Sequence, residues 1–404
     1  FWLMEGYFVR TLGMHRVYNS AFMNMLKMEE NAKYRQTIKN VLEFTPEILQ
    51  RFVNFMNNPD ERTAIDQFGR EGKYFGATVL LVTMPGLPMF GHGQIEGFTE
   101  KYGMEYRRAF RAEEPDAHLV EMHERKIFPL MKRRRMFSGA ANFVLYDFFA
   151  GDRVDENVFA YSNSHGDERA LIVYHNRFAS TSGWIRTSCA RTVKSESGET
   201  RQVRTTLGEA LAARPDGRYY YRFRDSATGL EYLRHGRDLL ERGLYVELEA
   251  YEYHAFLDFR EIRDDDYGTW GKVCAALAGR PVESLDEEFR QVRHAAGIAA
   301  LARLASDLPQ ILPVLFDPSS GTVDRAEAVD TLRKRLFDFF GAVRKEMGLA
   351  GDERRVSGLL VSNLEVLVRT AGLQSRRAGA QPALEMLRSG PQPERGFNLL
   401  VLSL

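Results

Sequence analysis

Two short stretches hold the residues best placed to do chemistry. The first is Asn57-Asn58-Pro59-Asp60-Glu61-Arg62, which follows the apolar run Phe52, Val53, Phe55 and Met56. That run is too short for a helix of its own and rich in β-formers. It predicts a buried strand with polar and acidic groups at its carboxyl end. The second stretch, Gly91-His92-Gly93-Gln94-Ile95-Glu96-Gly97, follows a second predicted strand over 87–90. Between them the spacing predicts a helix over 73–83, with Gly76 and Ala77 for close packing and Pro85-Gly86 as its break. Strand, helix, strand with polar loops at the strand ends is the βαβ unit of a parallel sheet or barrel. In these loops Asp60 supplies a carboxylate. Asn58 can hold a hydroxyl or fix the loop. Arg62 can orient a carboxylate through a bidentate pair. Gln94 and Glu96 can line a site or pin the loop. His92 lacks partners at metal-ligand spacing. The glycines lack the Gly-Lys-Ser/Thr ending of a phosphate loop, and no dinucleotide fingerprint is visible.

Composition narrows the function classes. The 404 residues suffice for two or three domains with proper cores. Apolar residues are 44% and charged residues 27%, and 55 basic side chains balance 55 acidic ones. A neutral chain has no field to steer it toward nucleic acid or an anionic membrane. The run Lys132-Arg133-Arg134-Arg135 reads as a solvated helix end. Cys189 and Cys274 lie in different segments and imply neither a disulfide framework nor a zinc site. No stretch reads as long and apolar enough to span a bilayer, so the protein is expected to be soluble, with the cytoplasm favoured. The chain opens on Phe1 inside an apparent folded element, which reads as a fragment.

The elements that must position the loops follow in order. Residues 1–27 are dense in aromatics and Met, with Glu5, His15 and Arg16 among them. A helix is predicted over 29–42, with Tyr34, Ile38, Val41 and Leu42 at helical spacing. Thr45-Pro46-Glu47 reads as cap, first turn and early acid of a short helix. A helix capped by Asp116 is predicted over 116–126, and the barrel-like region ends near Ser138. Over 139–260 short runs rich in Val, Tyr and Phe alternate with Gly, Asp and Asn, which is antiparallel β with turn chemistry. Residues 195–217 read as a polar insertion or long loop. From Tyr267 on the pattern is helical, over 285–305, 323–347 and 352–373, with breaks at Pro309, Pro313 and Pro318.

The stretch Phe55-Met56-Asn57-Asn58-Pro59-Asp60-Glu61-Arg62 resembles the seventh-strand motif of the α-amylase family of glycoside hydrolases, Phe-x-x-Asn-His-Asp with an Arg soon after. Thr83-Met84-Pro85-Gly86-Leu87-Pro88 and the loop through Gly97 resemble that family's eighth strand. The segment Gly13 to Asn19 resembles its sixth. One position departs: Pro59 stands where the family usually has His, which puts the sugar contact of that imidazole in doubt. The resemblance implies an α/β fold class: the C-terminal half of a (β/α)8 barrel over 1–138 followed by an antiparallel β-sandwich over 139–265; the helical region over 266–404 rests on its own periodicity and resembles no family. It implies a retaining hydrolase or transglycosylase acting on α-glucan. Retention needs two carboxyl groups about 5 Å apart, one nucleophile and one acid/base. A third can stabilise the transition state, and the motif match gives Asp60 that role. The family nucleophile lies upstream of this chain. The general acid lies just before Phe1-Trp2 or, alternatively, is Glu5. The chain alone is therefore expected to be inactive. Asn58, Arg62 and Gln94 are the substrate-binding candidates. Many family members use calcium, with ligands mostly in earlier segments, and no other cofactor is implied. A non-catalytic carbohydrate-binding or regulatory protein on the same fold is the alternative, supported by Pro59.

Overall fold

The computed structural model describes residues 5–101, 108–194, 199–317 and 319–371, with residues 379 and 382. The chain divides into two compact units, Phe1–Leu285 and Asp286–Leu404.

The first unit opens with α1 (Glu5–Arg10), β1 (Val17–Tyr18), α2 (Ser20–Lys27), α3 (Asn31–Phe44), β2 (Phe52–Phe55), α4 (Ala64–Phe68), α5 (Gly72–Thr83) and β3 (Leu87–Met89). The three strands are parallel, in the order β1-β2-β3. The βαβ unit expected around residues 52–97 is therefore present. Helix α5 is buried along nearly its whole length, because Gly76 lets it lie on the Tyr174 ring. A Cβ at Gly76 would sit 1.9 Å from that ring. The short helix expected after Thr45 is a 3-10 turn, Pro46–Arg51, and Thr45 does not cap it. Its hydroxyl accepts from Arg10 Nη1 instead, at 3.2 Å.

Asp116 does cap α6 (Ala117–Met122), accepting from the Leu119 N–H at 3.1 Å. A π-turn over His123–Ile127 then leads to α7 (Phe128–Lys132) and α8 (Arg134–Phe137). The basic run here is not simply a solvated helix end. Arg134 donates to the carbonyls of Val82 and Met84, at 2.8 Å each, and to that of Gly86. It thereby satisfies carbonyls left open where α5 ends. Burial lowers the Arg134 pKa to about 10. Arg133 pairs with Asp258 at 2.6 Å.

Eleven more strands follow: β4 (Val144–Ala150), β5 (Arg153–Val154), β6 (Val158–His165), β7 (Glu168–His175), β8 (Thr181–Ser188), β9 (Arg191–Lys194), β10 (Thr200–Val203), β11 (Tyr219–Asp225), β12 (Glu231–His235), β13 (Leu244–Leu248) and β14 (Tyr253–Arg263). Helices α9 (Leu207–Ala210), α10 (Gly236–Glu241) and α11 (Thr269–Leu277) are interspersed. The expected polar insertion over 195–217 thus carries β10 and α9, the latter fixed by a Thr206/Glu209 capping box. In place of the two separate sheets of a sandwich, hydrogen bonds run unbroken through one nine-stranded antiparallel sheet, β12-β11-β14-β7-β6-β4-β8-β13 with β5 beside β4. This sheet curls around its own core. Val144, Phe148, Val173, Ile185, Val246 and Phe256, from five of its strands, meet inside. The alternate residues of the central strands, such as Leu145, Tyr161, Ile172 and Ala255, join Val79, Leu80 and Phe137 in a second core. Burial on both faces explains why β6 and β7 read as continuous apolar runs.

A buried guanidinium pins α3 to this sheet. Arg35 is fully buried. It donates to the carbonyls of Tyr146 (3.2 Å) and Val158 (2.8 Å), to Asp147 (2.7 Å) and to Glu156 (2.6 Å). Beside it, Asn31 donates to Asn157 Oδ1 at 3.0 Å and to the Asn176 carbonyl at 2.9 Å, and accepts from Asn176 Nδ2 at 2.7 Å. In the same sheet, buried Asp225 accepts from the N–H groups of Ala227 and Ala255, and its other oxygen lies 2.9 Å from His254 Nδ1.

The second unit carries α12 (Leu285–Arg293), with its first residue in unit one, then α13 (Ala295–Phe316), α14 (Thr322–Met347) and α15 (Glu353–Ala371). The helix expected over 285–305 is divided at His294. Glu346 sits at the new start, accepting from the Gly297 N–H at 2.8 Å. Pro309 and Pro313 do not break α13, contrary to expectation, and Pro318 lies outside the described residues. An internal proline costs about 3 kcal/mol. Burying Leu304, Leu308, Ile311, Leu312 and Leu315 against α14 and α15 offsets that, at roughly 1.5–3 kcal/mol for each side chain. Because the prolines leave it whole, α13 is a 22-residue helix with an 18-residue window of mean hydropathy 1.3. This corrects the expectation that no stretch reaches that mark, although length and composition are all that qualify it.

Three outcomes are expected. Arg35→Met should lower the unfolding free energy by about 3–5 kcal/mol in a denaturant titration, because it takes one shared donor from the carbonyls of Tyr146 and Val158 and from the carboxylates of Asp147 and Glu156, at about 1–3 kcal/mol for each acceptor left buried, with Lys39 still beside the two carboxylates. Gly76→Ala should lower it by about 1–3 kcal/mol, since overpacking against Tyr174 outweighs the 0.5–1 kcal/mol gained in helix propensity. The third concerns pH. Burial pushes the His254 pKa down, but the Asp225 carboxylate outweighs it and the net shift is upward from 6.5. Burial pushes Asp225 up, but His254 and the backbone N–H groups outweigh it and hold it below 3.8. The His254 contribution is complete below pH 6.5 and fades as pH rises through the folded value. The Asp225 contribution is complete above pH 3.8 and fades as pH falls through its own. Thermal melts of wild type and His254→Gln should therefore differ most between these two pH values and converge in mild alkali.

Candidate functional site

The carboxyl ends of β1, β2 and β3 come together, and the residues beyond them form the candidate site. A polar ladder beneath holds the three ends in register. Asn54, buried in β2, accepts from Asn19 Nδ2 at 2.8 Å and donates to the Pro85 carbonyl at 3.0 Å. Asn19 follows β1, and Pro85 precedes β3. Each buried amide is satisfied, so the ladder fixes the strands without a desolvation penalty left open.

The loop after β2 is shaped by its own side chains. Asn58 Oδ1 accepts from the N–H groups of Asp60 (2.9 Å) and Glu61 (3.1 Å), an Asx turn. Gln67 Nε2 holds the carbonyls of Met56 (2.9 Å) and Arg62 (3.0 Å), closing the loop onto α4. Asp60 stands exposed at the tip, and Lys101 Nζ reaches its carbonyl at 2.8 Å. Among the described residues no ion pair or hydrogen bond engages the Asp60 carboxylate. Arg62 is also exposed, and no pair with Asp60 is present among these residues.

The loop after β3 is held from below. Gln94 is buried, its Oε1 accepting from the Gly91 N–H at 3.2 Å and its Nε2 lying 3.4 Å from Met56 Sδ. The Gln94 carbonyl accepts from the Tyr74 hydroxyl at 2.6 Å. That hydroxyl also lies 3.1 Å from Nε2 of buried His123, whose Nδ1 donates to the Leu119 carbonyl at 2.8 Å. Burial lowers the His123 pKa and raises that of Tyr74, so both stay neutral near pH 7. Gly91 is required by the Asn57 side chain, which would lie 2.3 Å from any Cβ there.

Asp60, Asn58 and Arg62 thus share one loop, with Asn58 Oδ1 occupied in shaping it. Gln94 packs underneath, pinning one loop to the other rather than facing outward. Glu5 begins α1, but its side chain, like Phe1 and Trp2, lies outside the described residues. His15 is exposed just before β1, and His92 is exposed beside the Phe98 ring at 5.9 Å. Among the described residues no group of three or more His, Cys, Asp or Glu converges to hold a metal ion. Sequence reasoning missed Asn19 and Asn54. An amide inside an otherwise apolar strand was the available signal. It also missed Asn57, whose Oδ1 is buried without a hydrogen-bond partner where the two loops meet.

One exposed carboxylate at the tip of a loop beyond a strand end can face developing positive charge. It cannot act alone as both nucleophile and acid.

No family model matches this chain, and no curated protein matches it. Solved structures do. A native-form debranching enzyme from Nostoc punctiforme is 16% identical over 56% of this chain and 40% of its own, with a TM-score of 0.39. An α-amylase from Anoxybacillus is 14% identical over 64% and 50%, with a TM-score of 0.40. A γ-cyclodextrin glucanotransferase (Gamma-CGTASE) from alkalophilic Bacillus clarkii is 15% identical over 65% and 35%, with a TM-score of 0.41. The chain spans half or less of the length of each of these structures.

Proposed function

We propose that the strand-end loops around Asp60 belong to an α-glucan-active retaining glycoside hydrolase or transglycosylase of the α-amylase family. The observation that carries this is a carboxylate, Asp60, in the loop beyond the carboxyl end of a parallel βαβ strand, inside a sequence that resembles the family motif except at Pro59. In a (β/α)8 barrel the chemistry sits on that face. On this reading residues 1–138 are the second half of such a barrel, 139–265 its β-domain and 266–404 a helical appendage. Asp60 stabilises the oxocarbenium-like transition state. Asn58 Nδ2 and Arg62 contact the sugar, whereas Gln94 acts by holding the loops in place. The nucleophile comes from upstream sequence, and the general acid from there or from Glu5. A calcium ion, if the protein uses one, is held by upstream residues.

Two observations favour a second reading, a glucan-binding protein without turnover. Pro59 replaces the usual imidazole, and Asn58 Oδ1 is engaged by its own loop.

The protein carrying its full upstream coding sequence should be assayed on maltooligosaccharides, as wild type and as Asp60→Asn. The enzyme reading expects turnover to fall at least about a hundredfold, the scale of a single transition-state contact. Folding should be intact, because Asp60 is exposed. Turnover within a few-fold of wild type would remove Asp60 from the mechanism. Binding without turnover in both proteins would establish the second reading.

A further inference from the structure

The curled sheet does not close. Its two edge strands, β12 and β13, flank a cleft of about 860 Å³ whose third wall is the end of α11. This volume lies within the ordinary range for small-ligand sites. We infer that this cleft is a binding site for a neutral oligosaccharide, separate from the Asp60 loops.

Three features of the wall carry the inference. The first is aromatic. Trp184 on β8 and Tyr245 on β13 are direct cross-strand partners, with ring centroids 5.4 Å apart at 61°. Tyr245 is 43% exposed. Arg186 and Arg242 lie over the Trp184 ring, each 5.1 Å from its centroid, so Tyr245 supplies the apolar surface for the C–H face of a pyranose and keeps its polar edge in water. The second is charge. Three guanidiniums and four carboxylates line the cleft. Among the described residues no ion pair engages Asp238, Glu247, Arg242 or Arg280. Carboxylates repel a phosphate, and guanidiniums repel a polycation. A neutral ligand with many hydroxyls can donate to the one set and accept from the other. The third feature argues against a peptide strand added along β12, the other occupant an open sheet edge there would invite. The β12 edge is already engaged. Glu231 exchanges both backbone hydrogen bonds with Val282, at 2.7 and 2.9 Å, and Arg234 Nη1 takes the Leu233 carbonyl at 2.9 Å.

The cleft argument stands on these residues alone; only the choice of a maltooligosaccharide as first ligand rests on the proposed function. The test is calorimetric titration of the chain with maltoheptaose and, in parallel, with cellohexaose. One saturable site is expected. Tyr245→Ala, Arg242→Ala and Asp238→Asn should each raise Kd at least tenfold, and Asp60→Asn should leave that binding in place. Ligand should also shift Trp184 emission in wild type. Tyr245 and Arg242 are exposed, so loss of binding in those variants is not loss of fold, and matching thermal melts check this. If cellohexaose binds in the cleft and maltoheptaose does not, the site stands and the α-glucan choice fails. If neither binds, or if the cleft variants bind as wild type does, the inference is overturned, whatever turnover the Asp60 loops support.

Discussion

A single buried positive charge organises the first unit. Arg35 leaves water entirely, and every strong acceptor around it comes from the sheet or the turn beside it: two carbonyls and two carboxylates more than a hundred residues away. A guanidinium suits this because its planar fork supplies five donors in fixed directions. Desolvating it is expensive, and only a full set of acceptors offsets the cost. That requirement fixes how α3 approaches β4 and β6, and with it the parallel strands that follow α3. The asparagine cluster at Asn31, Asn157 and Asn176 repeats the logic with neutral groups. Position is set by polar demand, while the apolar cores supply the bulk of the stabilisation.

The same division of labour runs through the strand-end loops. Asn54 ties three strands together, Asn58 shapes the turn, and Gln94 clamps one loop to the other. Few side chains remain that are both exposed and chemically forceful, and Asp60 is the clearest. A carboxylate on such a framework is held by backbone geometry rather than by charged neighbours. Its contribution to any reaction would then be electrostatic and geometric, with proton transfer left to other groups.

Much of this was legible in the sequence, for identifiable reasons. The strand at Phe52, the helix over 73–83 and the turn at Pro85-Gly86 are strong local signals, and each is present. The cap at Asp116 and the aromatic strands from β4 to β14 were visible in the same way. What was not legible depends on partners distant in the chain. Thr181–Ser188 lacks the expected apolar run, yet it pairs on both sides within the sheet. Arg134 looked like one of four surface bases, because nothing nearby shows that it meets the end of α5. Pro309 and Pro313 looked like breaks, because local propensity ignores the apolar face they accompany. Gln94 looked like a site residue, because its loop is glycine-rich and polar, and only the fold shows that it points inward.

The Arg134 contact bears on the order in which the chain can be completed during synthesis. Helix α5 ends near Thr83, but the side chain that satisfies its last carbonyls arrives some fifty residues later. Arg35 waits longer still, until β4 and β6 have left the ribosome. A nascent chain stopped near Ser138 would hold a finished βαβ unit beside a guanidinium with no acceptors. The parallel segment is therefore poorly suited to folding ahead of the sheet that follows it. Expression boundaries drawn between the two would cut through the interactions that make each of them stable.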